Sequence, residues 1–244
     1  MLKNRLIKFN SLLLSDVQKC SNGAKNIFEA TCGIRDKILE INLKKRKALL
    51  TTFDLEKAFD RVSHKFLLDT LFKMGNNIDF INFLRRCQGN TFSKVLINGH
   101  FSEYIKIERS VRQGDPLSMI LFCMYLEPLL QKLQDVCETN VDLLNSCADD
   151  ISLIIHDVRK LNIISNFFEK FELVAGAKVN YDKTKAMKIG MRNNLIVPKW
   201  IKHDESLKIL GIWFNNSSKV MVEKNWDEIL QNLRFTLWNN QFRN

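Results

Sequence analysis

Two adjacent aspartates, Asp149 and Asp150, interrupt a stretch of otherwise apolar sequence in this chain of 244 residues. Apolar side chains are concentrated in residues 141–144 before the pair and in residues 151–155 after it. Two apolar runs of strand length around a short acidic step predict a β-hairpin with two carboxylates at its tip. Adjacent carboxylates in apolar surroundings repel each other, so a bound cation would stabilise them. Aspartate also favours ordinary exposed turns, and the pair alone leaves both interpretations open.

A third carboxylate, Asp54, directly follows residues 48–53, an apolar run that is prone to form a strand. If that strand lies beside the hairpin, three carboxylates meet at one edge of a sheet. Such an arrangement can hold two Mg²⁺ ions about 3.5–4 Å apart, which stabilise the attacking and leaving oxygens in phosphoryl transfer. Asp54 would equally suit a helix N-cap, so the residues alone leave its role open.

The composition indicates a folded protein with an anionic partner. Hydrophobic residues make up 45% of the chain, which is ordinary for a globular protein and leaves no room for extensive disorder. The net charge of +10 comes from basic residues spread along the chain, so nucleic acid is the leading candidate partner. The six cysteines form no Cys-x-x-Cys pair and have no histidine at zinc spacing, so we expect buried free thiols in a reducing compartment.

Targeting features are few. No signal peptide opens the chain, and the longest apolar run, residues 119–130, contains Glu127 and is too short to cross a membrane. We therefore expect a soluble intracellular protein without a membrane partner. The basic run at residues 44–47 is typical of a solvated helix end, and a nuclear-localisation or phosphate-contacting role is the alternative.

Helix and strand patterns alternate along the chain, which indicates an α+β architecture. Apolar spacing predicts helices within residues 2–14, 34–43, 63–75, 80–84, 117–136 and 163–176. A terminal helix is expected over 226–238, with Ile229, Leu233 and Leu237 facing inward. Hairpins are expected around Asn98-Gly99, between residues 95–97 and 104–107, and over residues 207–214. Asp115 as N-cap and Pro116 at the first helical position predict the start of the long helix.

Five segments resemble, in the same order, the motifs of reverse transcriptases from non-LTR (LINE-type) retrotransposons. They are FDLEKAFDRV (53–62), RQGDPLS (112–118), ADD (148–150), AGAKVNYDKTK (175–185) and LKILGIWF (207–214). The first two motifs are specific and the third is weak alone, but all five together span about residues 50–214. The family's upstream block, built around Arg-Pro-Ile-Ser-Leu, is absent. The resemblance therefore implies an N-terminally truncated reverse transcriptase domain.

The resemblance implies a right-hand polymerase fold whose palm is an antiparallel sheet with helices packed on one face. It divides the chain into partial fingers (1–47), a palm with inserted finger elements (48–206), and a primer-grip hairpin with the start of a thumb (207–244). Nuclear residence is expected of an element that primes synthesis at its DNA target.

The same resemblance implies a metal site with three catalytic aspartates. Asp54 and Asp149 would be the principal ligands of Mg²⁺, with Mn²⁺ as a substitute. Asp150 would be a secondary ligand or a charge near the primer end. Leu55 would contribute its backbone carbonyl to a metal, so its side chain matters little.

Further residues are implied to bind the nucleotide. Phe59 matches the aromatic residue that excludes the 2′-OH of a ribonucleotide, although it also suits a core position. Gln113 and Gly114 would line the nucleotide and template pocket. Arg112 and Lys183 would meet phosphate, and each also fits an ordinary solvated surface charge.

The implied function is RNA-directed DNA polymerisation, in which a deoxynucleoside triphosphate is joined to the 3′-OH of a DNA primer on an RNA template. Leu210 and Gly211 would lie against the primer backbone. The alternative is an inactive retrotransposon remnant that only binds nucleic acid. The missing upstream block favours this alternative, as do Cys147 and Met119, which stand where the family has an aromatic residue and a proline. The three retained aspartates favour the enzyme.

Overall fold

The computed structural model of the chain describes residues 2–21, 26–89, 91–191 and 195–241. The helices are α1 (Leu2–Leu13), α2 (Ile27–Leu43), α3 (His64–Lys73), α4 (Ile78–Gly89), α5 (Ser118–Val136), α6 (Lys160–Ala175) and α7 (Ser218–Gln241). The strands are β1 (Lys47–Phe53), β2 (Phe92–Ser93), β3 (Leu96–Ile97), β4 (His100–Phe101), β5 (Ile105–Lys106), β6 (Leu143–Cys147), β7 (Asp150–Ile155), β8 (Lys185–Gly190), β9 (Lys202–His203), β10 (Ser206–Ile209) and β11 (Ile212–Asn215). The predicted α+β class is confirmed.

The central sheet has five strands in the order β6–β7–β1–β8–β9. Strand β1 pairs antiparallel with β7 on one side and with β8 on the other. Its near-continuous apolar sequence fits this central position, because both of its faces are buried. The short edge pair β8–β9 is parallel, and the other pairs of this sheet are antiparallel as expected.

Alternate residues of β1 point to opposite faces of the sheet and enter two different cores. Leu49 and Phe53 pack in the larger core with side chains of α3, α5 and α6. Ala48 and Leu50 pack in a second core with α2 and the β10–β11 hairpin. The expectation that helices cover only one face is therefore wrong, because the apolar side of α2 covers the other.

Helix α5 is buried along most of its length, as its sequence predicts, but it begins later than expected. The helix starts at Ser118 and not at Pro116. The Asp115 carboxylate accepts a hydrogen bond from the N–H of Leu117 at 2.7 Å, and the Asp115 carbonyl accepts one from the N–H of Ser118. Asp115 therefore caps a separate turn that leads into the helix.

The expected hairpin around Asn98-Gly99 has the predicted turn and a different partner strand. Both turn residues have positive φ, 49° and 83°, as a two-residue hairpin turn of this kind requires. That turn sets β3 against β4, which begins at His100. Residues 104–107, which were predicted to pair with residues 95–97, instead contain β5, and this strand pairs with β2.

Helix α7 begins at Ser218, before the predicted start at Trp226. The expectation that its apolar residues face inward is wrong for Ile229 and Leu233, whose exposed fractions are 47% and 54%. The contacts that hold α7 lie nearer its beginning, where the Asn225 side chain bonds the backbone N–H and C=O of Trp213. The side chain of Leu237 lies outside the described residues.

All six cysteines are free, as expected, but their burial differs from the prediction. Cys123 is buried, whereas Cys32 and Cys87 are exposed on outward faces of α2 and α4. Among the described residues, no helix combines the length and the apolar character that crossing a membrane would need.

A buried carboxylate, that of Asp142, ties the segment before β6 to the end of β7. It accepts hydrogen bonds from Lys160 Nζ at 2.6 Å, from the N–H of Glu138 at 3.0 Å and from the N–H of His156 at 3.1 Å. Burial alone would raise the pKa of Asp142, but these hydrogen bonds outweigh it and lower the pKa below its usual value.

We expect the Asp142→Asn substitution to reduce the free energy of unfolding at pH 7 by about 2–3 kcal/mol, because a charged acceptor of several hydrogen bonds is lost. The pKa of Asp142 is lower in the folded chain than in the unfolded one, so its stabilisation is present above the unfolded-state value of about 3.9 and is lost as the pH falls through the folded-state value. Urea denaturation of the unaltered chain and of Asp142→Asn, at pH values from 7 down to below the folded-state pKa of Asp142, measures the effect.

The matched control is Asp135→Asn, which removes an exposed aspartate that pairs with Lys132 along α5. We expect this change to cost less than about 0.5 kcal/mol at any pH in the series. Equal losses in the two variants would contradict the role assigned to Asp142.

A second prediction concerns Gly190, the last residue of β8, whose φ is 73°. A Cβ atom there would lie 1.9 Å from the carbonyl oxygen of Arg46, so Gly190→Ala forces the backbone apart. We expect the free energy of unfolding to fall by about 3 kcal/mol or more. Gly75, after α3, has a similar φ of 79° with no atom within 4 Å of such a Cβ, so Gly75→Ala should cost about 1–2 kcal/mol. Chemical denaturation of both variants tests this difference.

Candidate active site

The predicted acidic hairpin is formed by β6 and β7. Cys147 pairs with Asp150, so Ala148 and Asp149 form the turn and Asp150 is the first residue of β7. Ala148 has a φ of 54°, a left-handed conformation that residues other than glycine adopt at a cost. Asp149 therefore projects from the tip, while Asp150 begins the strand.

Strand β1 brings Asp54 to this hairpin. Phe53 pairs with Ile151 in the antiparallel β1–β7 ladder. Asp54, the residue that follows β1, therefore lies across from Asp150, the first residue of β7. A metal site shared by these carboxylates requires the two strands to be neighbours, and the metal-binding roles of the residues stay predictions.

The three aspartates influence one another electrostatically. Burial raises the pKa of both Asp149 and Asp150, and the nearby charge of Asp54 raises both further. The charge of Asp149 also raises the pKa of Asp150. Such a site holds more negative charge than its surroundings favour, and a bound cation would relieve it.

The donor atoms are of the kind that Mg²⁺ prefers, since they are carboxylate oxygens. As they stand, the described residues contain no group of three or more His, Cys, Asp or Glu side chains that could hold a metal ion. A neighbouring cation, Lys183, lies with its Nζ 3.5 Å from Asp54 Oδ2. The carboxylates thus fit a divalent ion in chemistry, and Lys183 now supplies part of the positive charge.

The segment after β1 is fixed by the segment that resembles the fourth motif. Leu55 is buried and forms an isolated bridge with Val179. The carbonyl of Asp54 accepts a hydrogen bond from the N–H of Asn180 at 2.8 Å, and the N–H of Glu56 donates to the carbonyl of Lys178 at 2.8 Å. The backbone is therefore hydrogen bonded on both sides of Leu55, the residue that follows Asp54.

Phe59 lies on the core side of the same segment and is half-buried. Its ring stacks on the buried ring of Phe122, with centroids 4.6 Å apart and planes inclined by 15°. The ring is thus held by the core while part of its surface remains exposed. This placement is compatible with a core position and with exclusion of the 2′-OH of a ribonucleotide.

A cavity of about 280 Å³ joins the carboxylates to the β10–β11 hairpin. It is lined by Thr52, Phe53, Asp54, Asp150, Ile151, Lys183, Lys185, Ser206, Leu207, Lys208, Ile209, Leu210 and Trp213. Leu210 and its neighbour Gly211 form the hairpin turn and have positive φ values of 50° and 84°. The structure therefore brings together Asp54, Asp150, Lys183 and Leu210.

Four of the five predicted nucleotide-binding residues, Phe59, Arg112, Gln113 and Gly114, lie outside the lining of this cavity, as does Asp149. Arg112 borders a separate cavity of about 170 Å³ and donates a hydrogen bond to Thr91 Oγ1 at 3.1 Å. Gln113 and Gly114 follow it in an exposed turn before α5, where Gly114 has a φ of 88°. Their predicted role is left open by this placement.

Sequence reasoning did not single out Lys208, a cation in the lining of the carboxylate cavity. Its Nζ pairs with Glu228 of α7, and the indole N–H of Trp213 donates to the same carboxylate at 2.6 Å. Alternation along β10 indicates that Lys208 faces away from the buried side chains of Leu207 and Ile209, but nothing in the sequence places it near Asp54.

Cys147, which stands where an aromatic residue is usual, contacts another thiol. The neighbouring Cys20 thiol, burial and the charges of Asp150 and Asp149 raise the pKa of the Cys147 thiol, while the thiols of Cys123 and Cys147 lower the pKa of Cys20.

Known protein sequences include relatives of this chain. Residues 2–214 match the family model for reverse transcriptase (RNA-dependent DNA polymerase). An uncharacterized 149 kDa protein of transposon TX1 from Xenopus laevis is 26% identical over 219 residues, which cover 84% of this chain and 16% of the relative. A Pol polyprotein of the type-2 retrotransposable element R2DM from Drosophila melanogaster is 30% identical over 142 residues, which cover 57% of this chain and 13% of the relative. The chain thus spans a small part of either protein.

Comparison with solved structures supports the fold. Apo telomerase from Candida tropicalis, truncated from its C-terminal domain, superposes with a TM-score of 0.66 at 16% identity, over 88% of this chain and 43% of that one. This likeness confirms the right-hand polymerase fold, and the sequence relatives confirm the resemblance to non-LTR retrotransposon proteins. The chain belongs to the reverse transcriptase (RNA-dependent DNA polymerase) family.

Proposed function

We propose that the chain is the catalytic core of an RNA-directed DNA polymerase of the non-LTR retrotransposon type. It would join a deoxynucleoside triphosphate to the 3′-OH of a DNA primer on an RNA template. The observation that carries the proposal is the β1–β7 pairing, which sets Asp54 across from Asp150 beside the turn that holds Asp149. These residues are the ones that the first and third motifs share with the family.

The carboxylates have the chemistry that this reaction needs. Asp54 and Asp149, with the Leu55 carbonyl and Asp150 as further ligands, would hold Mg²⁺ or Mn²⁺. When bound, two such ions stabilise the attacking and leaving oxygens of phosphoryl transfer. The raised pKa values of Asp149 and Asp150 support this role, because they reflect desolvation first and neighbouring negative charge second, and a bound cation would offset both.

Cations around the carboxylates would bind the triphosphate. The side chains of Lys183 and Asp54 are 67% and 39% exposed, so their ion pair contributes little energy and Lys183 is free to turn toward phosphate. Arg112, with Gln113 and Gly114, would contact the nucleotide and template from the turn before α5. Such fixed positive charges stabilise the charge that develops on the transferred group.

The β10–β11 hairpin would hold the primer. Leu210 and Gly211 lie at its turn, and Leu210 lines the cavity that contains Asp54 and Asp150. A primer backbone along this turn would bring its 3′ end toward the carboxylates. Phe59 would exclude the 2′-OH of a ribonucleotide from the same site.

The proposed division of the chain is partial fingers (1–47), palm (48–206), and primer grip with the start of a thumb (207–244). Residues 1, 22–25, 90, 192–194 and 242–244 of these ranges lie outside the described residues. Nuclear residence accompanies the proposal for a target-primed element. Within the basic run at 44–47, however, Lys44 pairs with Glu40 of α2, as a solvated helix end does.

We expect Asp54→Asn and Asp149→Asn each to reduce kcat for primer extension by about 10³-fold or more, because each removes a charged ligand that acts in the transition state. The affinity for a primer–template duplex should stay within about twofold, since these carboxylates do not neutralise phosphates. Extension of a DNA primer on an RNA template with Mg²⁺ and deoxynucleotides measures the first quantity, and a salt series of binding measures the second.

Asp157→Asn is the matched control, because Asp157 is a partly exposed aspartate beyond the other end of β7, where it pairs with Arg159. This variant should extend primers at the rate of the unaltered chain. Full extension by Asp149→Asn would show that the metal assignment is wrong. Salt-sensitive binding without extension by the unaltered chain would instead support the binding-only alternative.

A second prediction concerns the choice of sugar. We expect Phe59→Val to raise incorporation of ribonucleotides relative to deoxynucleotides by about tenfold or more, because a smaller side chain no longer collides with the 2′-OH. The ratio of kcat/KM for the two nucleotides measures the change.

Phe66→Val is the control for lost packing, since Phe66 contacts the rings of Tyr125 and Phe171 in the same core. It should reduce stability and leave the sugar preference unchanged. An unaltered preference in Phe59→Val would assign Phe59 to the core alone.

A further inference from the structure

A segment between α1 and α2 runs beside the acidic hairpin and joins the edge of β6 through one isolated bridge. The N–H of Ser146 donates to the carbonyl of Val17 at 2.9 Å, and the N–H of Lys19 donates to the carbonyl of Ser146 at 2.7 Å. The two segments are parallel at this bridge. Gln18 lies between these two contacts and is fully buried.

The Gln18 amide is bonded to the hairpin turn. Its Oε1 accepts hydrogen bonds from the N–H of Ala148 at 3.1 Å and from the N–H of Cys20 at 3.0 Å. Its Nε2 donates to Ser146 Oγ at 3.3 Å, and Ser146 Oγ donates to the carbonyl of Ala148 at 3.0 Å. Both backbone polar groups of Ala148 are therefore satisfied by side chains.

This pair of contacts matters because Ala148 has a left-handed backbone, with a φ of 54°. An L-residue other than glycine adopts that conformation only at a cost in free energy, and keeps it only where its surroundings enforce it. Ala148 immediately precedes Asp149. A change in its backbone angles would rotate the chain at Asp149 and move its carboxylate.

We propose that Gln18 is a positioning residue, which holds Ala148 in the left-handed conformation and thereby fixes the Asp149 carboxylate beside Asp54. The inference rests on the proposed function for its catalytic consequence. Its structural content, that a buried amide from outside the hairpin sets the turn, stands independently of any activity. Gln18 itself acts through the turn and needs no contact with substrate.

The direct test is hydrogen exchange of the Ala148 amide, observed by NMR on the full chain. Gln18→Met keeps an unbranched side chain of similar length and removes both the acceptor and the donor. We expect the Ala148 N–H to exchange at least about tenfold faster in this variant, while the N–H of Leu153 in the middle of β7 serves as the internal reference.

The kinetic test uses primer extension and a rescue. Gln18→Met should lower kcat by about tenfold to a hundredfold with little change in the KM for the nucleotide, because a small displacement of a catalytic group acts on the chemical step. Ala148→Gly should restore part of the lost kcat when combined with Gln18→Met, since glycine adopts positive φ without the penalty.

Leu14→Ala is the control for loss of stability alone, because Leu14 is a core residue just before the same segment. In Leu14→Ala, the ratio of the exchange rates of the Ala148 and Leu153 N–H groups should stay unchanged. Adding Ala148→Gly to this variant should not restore kcat. An unchanged Ala148 exchange rate in Gln18→Met would overturn the inference whether or not the chain is active. So would an unchanged kcat in a chain that extends primers.

These readouts separate the two proposals. If the unaltered chain extends no primer, the proposed function fails, and the Ala148 exchange rate alone decides whether Gln18 holds the turn.

Discussion

The burial of β1 on both faces, with hydrogen-bonded neighbours on both edges, is the constraint on which the other features depend. Its apolar side chains divide between two cores, so the sheet is covered by α5 and α6 on one side and by α2 on the other. Its register against β7 sets the end of one strand across from the start of the other. The pairing of the strands alone therefore sets the backbone of Asp54 across from that of Asp150, whatever the rotamers of their side chains.

The electrostatics of the site follow from that pairing. Three carboxylates at one sheet edge repel one another, and burial adds to the cost of ionising Asp149 and Asp150. The cations Lys183, Lys185 and Lys208 line the adjoining cavity. Carboxylates and ammonium groups therefore face the same cavity, and this mixture of charges is the basis of the proposed function.

The sequence predicted best those features that depend on neighbours along the chain. Ser63 caps α3 and Gly75 ends it as expected, because caps act over three or four residues. The inward face assigned to Ile229 and Leu233 was wrong, because burial depends on what packs against a helix. The three aspartates could be identified from motifs. The sequence did not predict that Arg112 borders a different cavity from the one that Asp54 and Asp150 line. The contacts of Gln18 leave no pattern in the sequence, since they join residues about 130 positions apart.

The connectivity of the sheet also bears on how the chain reaches its fold. Leu49 pairs with Ile155 in β7 and with Lys188 in β8, so both partners of β1 are synthesised long after it. At translation rates of about 5–20 residues per second, β1 waits for several seconds with its apolar faces and both edges unpaired. Non-local pairing of this kind folds slowly and exposes strand edges to other chains. The strand that organises the finished protein is thus left unpaired in the nascent chain until residues far downstream have been made.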